Sequence, residues 1–282
     1  MIQKIGVIGA GQMGNGIAQV AACAGYDVVM IDIEEAYVQK GLETINFSLG
    51  KLVIKERMTL ADADKAIGRI TTGVDRSLCA DCDLVVEAIP EILALKAELF
   101  TELDGLCKPE TILASNTSSI SISTIAAATN RPDKVIGMHF FNPPPIMPLI
   151  EVVRASETSE ETFVAVIALA ERLGKTPIPV ANSPGFVANR ILFPMINEAI
   201  YALAEGVAGA ADIDRVLVLS ASHPLGPLAL ADFVGLDVTL DILDSFARRF
   251  DNAKYRPCPL LREMVDRGEL GRKTGQGFFS YP

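Results

Sequence analysis

The chain has 282 residues, room for one large domain or two of ordinary size. Half of them (50%) are hydrophobic and 21% are charged, so material for a core is ample and wholesale disorder is excluded. With 35 acidic against 25 basic residues the net charge is −10, which lacks the basic excess of a nucleic-acid binder; no nucleic-acid partner is expected.

Met1-Ile2-Gln3-Lys4 leads straight into a strand-like run, without a charged-then-apolar leader. The longest uncharged run, Thr111 to Asn130, is full of Ser, Thr and Asn and does not read as a membrane span. Cysteines 23, 79, 82, 107 and 258 are scattered, as in a reducing compartment. The expectation is a cytoplasmic protein that makes no use of a membrane. Cys79 and Cys82 have redox or metal spacing, but no second pair follows and no histidine lies near, so no metal is expected.

Short apolar runs at Ile5–Ile8, Asp27–Ile31, Leu84–Ala88, Ile112–Ser115, Val135–Phe140, Ile150–Val153 and Pro177–Val180 read as buried strands. Helical stretches separate several of them, beginning with the small, apolar Met13–Ala24. This alternation predicts an α/β domain over 1–182, Rossmann-like, with a doubly wound and mostly parallel sheet. The pattern changes near Asn182. Ser183-Pro184-Gly185 reads as a helix start, leading into a long helix to about Val207 with a kink at Pro194. Ala211–Ser220 and Val238–Phe250 read as further helices, which predicts an all-helical C-terminal domain over 183–282.

Gly9-Ala10-Gly11-Gln12-Met13-Gly14 follows the first strand and opens the first helix, and Asp32 closes the next strand. This is the context a dinucleotide-binding fingerprint requires. Gly9 serves the tight turn, Gly11 the approach of a pyrophosphate, and Gly14 the packing of helix on strand. The helix N-terminus then faces the phosphates, and Asp32 accepts from the adenosine ribose hydroxyls. A 2′-phosphate would meet Asp32 with Glu34 and Glu35 nearby, and no Arg lies in Ile31–Val38, so NAD is expected over NADP.

The chain has two histidines, His139 and His223. His139 ends a predicted strand, where open α/β sheets bind ligands. The Pro-rich turn Pro143-Pro144-Pro145 then brings the chain back, so that Glu151 on the next strand can face it. A histidine oriented by a carboxylate is a standard general base, suited to taking an alcohol proton as hydride leaves the same carbon. His223, beside Pro224, reads as a turn residue.

Five motifs in order resemble the L-3-hydroxyacyl-CoA dehydrogenase family. They are His139-Phe-Phe-Asn142-Pro with Glu151, Ser115-Asn-Thr-Ser118-Ser119, Ser183-Pro-Gly-Phe-Val-Ala-Asn189-Arg190, His223-Pro-Leu-Gly-Pro and Gly271-Arg-Lys273-Thr-Gly-Gln-Gly-Phe. Short bacterial 3-hydroxybutyryl-CoA dehydrogenases are the nearest members. The resemblance implies NAD-dependent, reversible oxidation of an (S)-3-hydroxyacyl-CoA to the 3-ketoacyl-CoA. In it His139 is the base, Glu151 its partner, Ser118 a hydrogen-bond partner of the substrate's 3-oxygen, and Asn189 a holder of a substrate oxygen. It places Asn142 and Lys273 at the nicotinamide end, and Glu91 and Lys96 against the cofactor ribose.

Ser48, Lys51 and Lys55 share one face of a predicted helix, spaced by three and four, with Leu42, Ile45, Leu49 and Leu52 as a packing stripe. By themselves such charges read as a solvated face. The resemblance places acyl-CoA contacts at Ser48 and Lys55. Two rivals remain: a dehydrogenase of a free hydroxy acid of the L-gulonate type, and a non-catalytic NAD-binding structural protein. The apolar runs Phe193–Ile196, Val216–Leu219 and Pro227–Leu230 exceed what a domain of about one hundred residues buries alone. With the resemblance, they predict a homodimer through the C-terminal helical domain.

Overall fold

The structure, a computed structural model, describes residues 2–282. It divides into two units, the first running to Ser183 and the second spanning Pro184–Pro282. In the first, the apolar runs become strands: β1 (Lys4–Ile8), β2 (Asp27–Ile31), β3 (Ile70–Gly73), β4 (Leu84–Glu87), β5 (Ile112–Ser115), β6 (Val135–Phe140), β7 (Leu149–Arg154) and β8 (Thr176–Ala181). They form one sheet in the order β3-β2-β1-β4-β5-β6-β7-β8, parallel throughout except where β6 meets β7. This is a doubly wound sheet whose strand order reverses between β1 and β4, and ligands bind outside the carboxyl ends of the strands at such a switch point. The central strands are buried on both faces, which is why they read as continuous apolar runs. β3 escaped the sequence reading because it is a short edge strand of Ile, Thr, Thr and Gly.

Six helices cover the sheet: α1 (Gln12–Cys23), α2 (Glu35–Ile54), α3 (Leu60–Gly68), α4 (Leu93–Leu106), α5 (Ile122–Ala126) and α6 (Glu160–Arg172). Ile5, Val7, Met30 and Leu84 of the sheet pack with Ile17, Ala18 and Ala21 of α1 and Ile45 and Leu49 of α2 in one apolar core. The small side chains of α1 allow that helix to lie close to the strands. α2 stops at Ile54, because Glu56 takes a left-handed φ of +54°. Lys55 therefore caps the helix instead of lying within it as expected, whereas Ser48 and Lys51 are helical.

The second unit contains α7 (Ala188–Ala204), α8 (Ala210–Ala221), α9 (Pro227–Val234), α10 (Leu236–Phe250) and α11 (Pro259–Asp266). Its only β pairings are isolated bridges at Gly271–Gln276 and Gln276–Ser280. The expected helix start at Ser183 is corrected: α7 begins at Ala188. Gly185 and Phe186 have φ of +74° and +50°, outside the helical region, so Ser183-Pro184-Gly185 forms a turn. Pro194 lies inside α7, which ends at Ala204, short of Val207.

The core of this unit is built from Phe193, Ile196, Ile200, Leu228, Leu243 and Phe246. Phe193, Ile196 and Leu228, expected among the surplus apolar surface, are thus consumed internally. The most exposed of its large apolar side chains are Ile191 (65% exposed), Val207 (72%), Val216 (57%), Leu219 (72%) and Phe233 (56%). Among the described residues no helix is long and apolar enough to cross a membrane.

Candidate active site

The carboxyl ends of β1, β2, β4, β5 and β6 carry the polar residues. At β1, Gly9 has φ +104°, and a Cβ there would lie 2.6 Å from the Ala88 carbonyl oxygen. A Cβ at Gly14 would collide with the carbonyl oxygen of Gly9. Around Gly11 the protein leaves open space, so no contact within the chain requires glycine there. Asn15 braces the loop by donating Nδ2–H to the Gly11 carbonyl at 2.7 Å. α1 starts at Gln12 with no side-chain cap and no acidic residue in its first turn. Its leading N–H groups therefore suit an anion.

Asp32 accepts from the N–H of Ala10 (2.7 Å) with one oxygen and from that of Ile33 (2.7 Å) with the other. It thus fixes the glycine loop, and each oxygen retains a lone pair for a further donor. Ala10, Gly11, Gln12, Asn15, Asp32 and Lys40 line a cavity of about 380 Å³. An uncapped helix N-terminus, a free lone pair on Asp32 and this cavity fit a dinucleotide. A second cavity, of about 540 Å³, opens at the opposite edge of the sheet beside α6. Its lining charges include the Lys108–Asp83 and Lys134–Glu161 pairs, and it holds none of the chemistry-bearing residues.

At β4 and β5, Glu87, Lys96, Ser115 and Thr117 are buried together, with the more exposed Glu91 beside them. Lys96 is 1% exposed, and its ammonium pairs with Glu87 and lies 3.3 Å from Glu91 Oε2. Glu91 Oε1 accepts the N–H groups of Ser118 and Ser119, each at 3.0 Å, and the hydroxyls of Thr117 and Ser119. Burial pushes the Glu91 carboxyl up, but Lys96 and these hydroxyls outweigh it and hold the group below its usual range. Glu91 and Lys96 were expected at the cofactor; Glu87, Ser115 and Thr117 were not, although two of them lie in the Ser115–Ser119 motif.

On β6, His139 stands in direct register with Glu151 on antiparallel β7. Both are buried, and His139 Nδ1 meets Glu151 Oε2 at 2.7 Å. A carboxylate only accepts, so Nδ1 carries the proton and Nε2 is left as the basic nitrogen. Phe141 packs on the imidazole with ring centres 4.6 Å apart. Asn116, at the end of β5, accepts the N–H of Phe140 (2.9 Å) and so pins the end of β6. Asn142 is exposed and opens the Pro-rich turn through a cis peptide to Pro143. Lys175 holds that turn by donating to the carbonyls of Pro144 (2.6 Å) and Met147 (2.9 Å).

On α2, Lys51 Nζ lies 4.0 Å from the centre of the exposed Phe47 ring. In the second unit, Asn189 sits in the first turn of α7, and Lys273 pairs with Asp237. His223 follows Ser222, a left-handed helix cap, in a turn. Cys79, Cys82 and Cys107 are buried free thiols, and burial pushes the Cys107 thiol up to about 11.

Comparison with known proteins gives a consistent result. Residues 4–183 match the model of the 3-hydroxyacyl-CoA dehydrogenase NAD binding domain, and residues 185–281 that of the 3-hydroxyacyl-CoA dehydrogenase C-terminal domain. A probable 3-hydroxybutyryl-CoA dehydrogenase of Bacillus subtilis is 51% identical, over 99% of this chain and 98% of its own length. The mitochondrial hydroxyacyl-coenzyme A dehydrogenase of Homo sapiens is 42% identical, over 100% of this chain and 92% of its own. The crystal structure of (S)-3-hydroxybutyryl-CoA dehydrogenase from Ralstonia eutropha superposes with a TM-score of 0.98 at 50% identity, covering 100% of both chains.

Proposed function

Because the chain belongs to the 3-hydroxyacyl-CoA dehydrogenase family, it is an NAD-dependent oxidoreductase of 3-hydroxyacyl-CoA thioesters, and we propose that it interconverts (S)-3-hydroxybutyryl-CoA and acetoacetyl-CoA with His139 as general acid and base. The observation that carries the assignment of His139 is its buried 2.7 Å hydrogen bond to Glu151 at the carboxyl edge of the sheet. His139 Nε2 takes the proton of the C3 hydroxyl in oxidation and returns it in reduction. Glu151 keeps the ring in the required tautomer and stabilises its cationic form. NAD supplies the hydride acceptor. Its phosphates would be held by the Gly9–Gly14 loop with Ala10, Gln12 and Met13, and its adenosine ribose by Asp32.

Asn142 and Lys273 are proposed for the nicotinamide end, and Glu91 and Lys96 for the cofactor ribose. Ser118 is proposed to hold the 3-oxygen, and Asn189 another substrate oxygen. Ser48, Lys51 and Lys55 are proposed for the CoA tail, an anion that an acidic protein must meet with local positive charge. All five cysteines are unpaired, which supports the cytoplasm as the compartment. The test is turnover. NADH should be consumed with acetoacetyl-CoA and not with free acetoacetate. Reduction of the free acid alone would establish the hydroxy-acid rival, and NADH binding without turnover of either would establish the structural one.

We also propose a homodimer through the second unit, where Ile191, Val207, Val216, Leu219 and Phe233 stand exposed. Light scattering at micromolar concentration should return twice the chain mass; a monomer would end this reading.

A further inference from the structure

Glu87 closes β4 with its side chain fully buried, and no step proposed above uses it. Three donors hold its two oxygens. Oε1 takes the Lys96 ammonium and the N–H of Ile89 (2.8 Å), and Oε2 takes the Ser115 hydroxyl (2.6 Å). Lys96, on α4, also donates to the Ile89 carbonyl (3.2 Å) and faces Glu91. Glu91 in turn gathers Thr117, Ser118 and Ser119. Glu87 thus joins β4, β5 and α4 directly, and reaches the loop after β5 through Lys96 and Glu91 and through the Ser115 hydroxyl, which accepts the Thr117 N–H at 3.1 Å. Stability alone does not account for it, because a buried ion pair is commonly no better for the core than an apolar pair of the same volume.

Its place in the sheet suggests the reason. The order β1-β4-β5-β6 sets the ends of β4 and β5 between the glycine loop after β1 and His139 on β6. A dinucleotide with its phosphates on the first turn of α1 and its reactive ring at His139 crosses those two ends. The half that would cross them is the nicotinamide riboside, while the adenosine half would stay with the loop and Asp32, on β1 and β2.

We propose that Glu87 is a positioning residue for the nicotinamide half of the cofactor: through Lys96 it holds Glu91 and the Thr117–Ser119 loop in the arrangement that this half binds. The proposal rests on the dehydrogenase reading for the identity of the cofactor. Without Glu87 the Lys96 cation has lost its buried partner and draws on Glu91 instead, which loosens the loop that Glu91 gathers.

The test compares two ligands on the full chain by calorimetric titration. NADH reports both halves of the site, and ADP reports the adenosine half alone. In E87Q the Kd for NADH should rise about tenfold or more, as for loss of a charged hydrogen bond. The Kd for ADP should stay within about twofold. A merely structural role would weaken both ligands together. The double variant E87Q/K96Q removes the unpaired cation, so its thermal stability should recover while NADH remains weak, because Glu91 has lost its cation.

Wild-type NADH affinity in E87Q, parallel loss of NADH and ADP, or restored NADH affinity in the double variant would each overturn the proposal. If E87Q does not fold, E87D, which keeps the carboxylate but shortens its reach to Lys96 and Ser115, is titrated with the same two ligands; if neither folds, Glu87 belongs to the core and the proposal fails. Failure of the dehydrogenase reading would show in the wild-type chain, as absent NADH binding. Failure of the present proposal shows only in the variants.

Discussion

At the carboxyl edge of the first unit's sheet buried polar side chains answer one another: His139 meets Glu151, and Lys96 and Ser115 meet Glu87. Elsewhere in that unit Thr111, Thr158 and Thr162 donate to backbone carbonyls, and in the second unit the buried polar groups likewise answer mainly the backbone. Asp214 accepts the N–H groups of Leu228 and Ala229, in the opening turn of α9. Asp232 accepts those of Phe278 and Phe279 and the hydroxyl of Tyr281. Asn197 ties the carbonyl of Arg256 to the N–H of Cys258. A buried polar group that fastens a loop or starts a helix serves the fold. A buried pair of side chains at the carboxyl edge of a sheet adds little stability that an apolar pair would not, so its place is explained by the site: His139–Glu151 for proton transfer, Glu87–Lys96 for positioning.

The comparison predicts opposite consequences for substitutions of equal burial. The largest rate effect belongs to His139→Gln, which should lower kcat by about 10²–10⁴-fold. NADH affinity and melting temperature should stay near wild type. A large stability loss with normal turnover at saturation would reverse the roles assigned to the two units. Asp232→Ala should behave the other way. It strands two backbone N–H groups and a tyrosine hydroxyl, at about 2–5 kcal/mol of stability by denaturant titration. kcat per folded molecule should survive.

A smaller effect is expected on α2, whose charges are exposed. Lys51→Ala with Lys55→Ala should raise KM for acetoacetyl-CoA about three- to tenfold and weaken its salt dependence, since exposed charge contacts are screened. NADH affinity should not move; an unchanged KM would make this an ordinary solvated face.

The smallest effect concerns acid. Glu91 is held below the usual glutamate value of 4.5, so its stabilising contribution is complete above that pH. It is lost as pH falls from 4.5 through the lower folded-state value. Glu91→Gln should therefore lower the neutral plateau slightly and flatten the acid limb of the stability–pH curve. An identical acid limb in the variant would remove Glu91 from the account.

Much of this was legible along the chain. The seven strand-like runs all became strands: six are largely buried and therefore apolar throughout, whereas β8, at the end of the sheet, is mostly exposed. The fingerprint Gly9–Gly14 was legible because a positive φ and a helix packed on a strand are demands that neighbouring residues make on one another. β3 was not, because an edge strand of Ile70, Thr71, Thr72 and Gly73 has no apolar signature. The start of α7 was misread because Ser183, Pro184 and Gly185 suit a helix start and a turn equally well. Asn182, held by α5 through the N–H of Ile122 and the hydroxyls of Ser121 and Ser123, already commits the approach to that turn to the first unit.

What the amino-acid sequence by itself determined is therefore what adjacent residues impose: buried strands, the glycine turn, the acid after β2, and the change to helix beyond the sheet. What only the tertiary structure decided is which distant side chains meet. His139 faces Glu151 because β6 and β7 pair antiparallel in one register, and a slip of a single residue would turn them to opposite faces. Glu87 meets Lys96 because α4 returns over the end of β4. Phe193, Ile196 and Leu228, apolar residues like the exposed Leu219, fill a core because α7 and α9 pack on one another. Hydrophobicity is a property of each residue, but burial belongs to the packed chain.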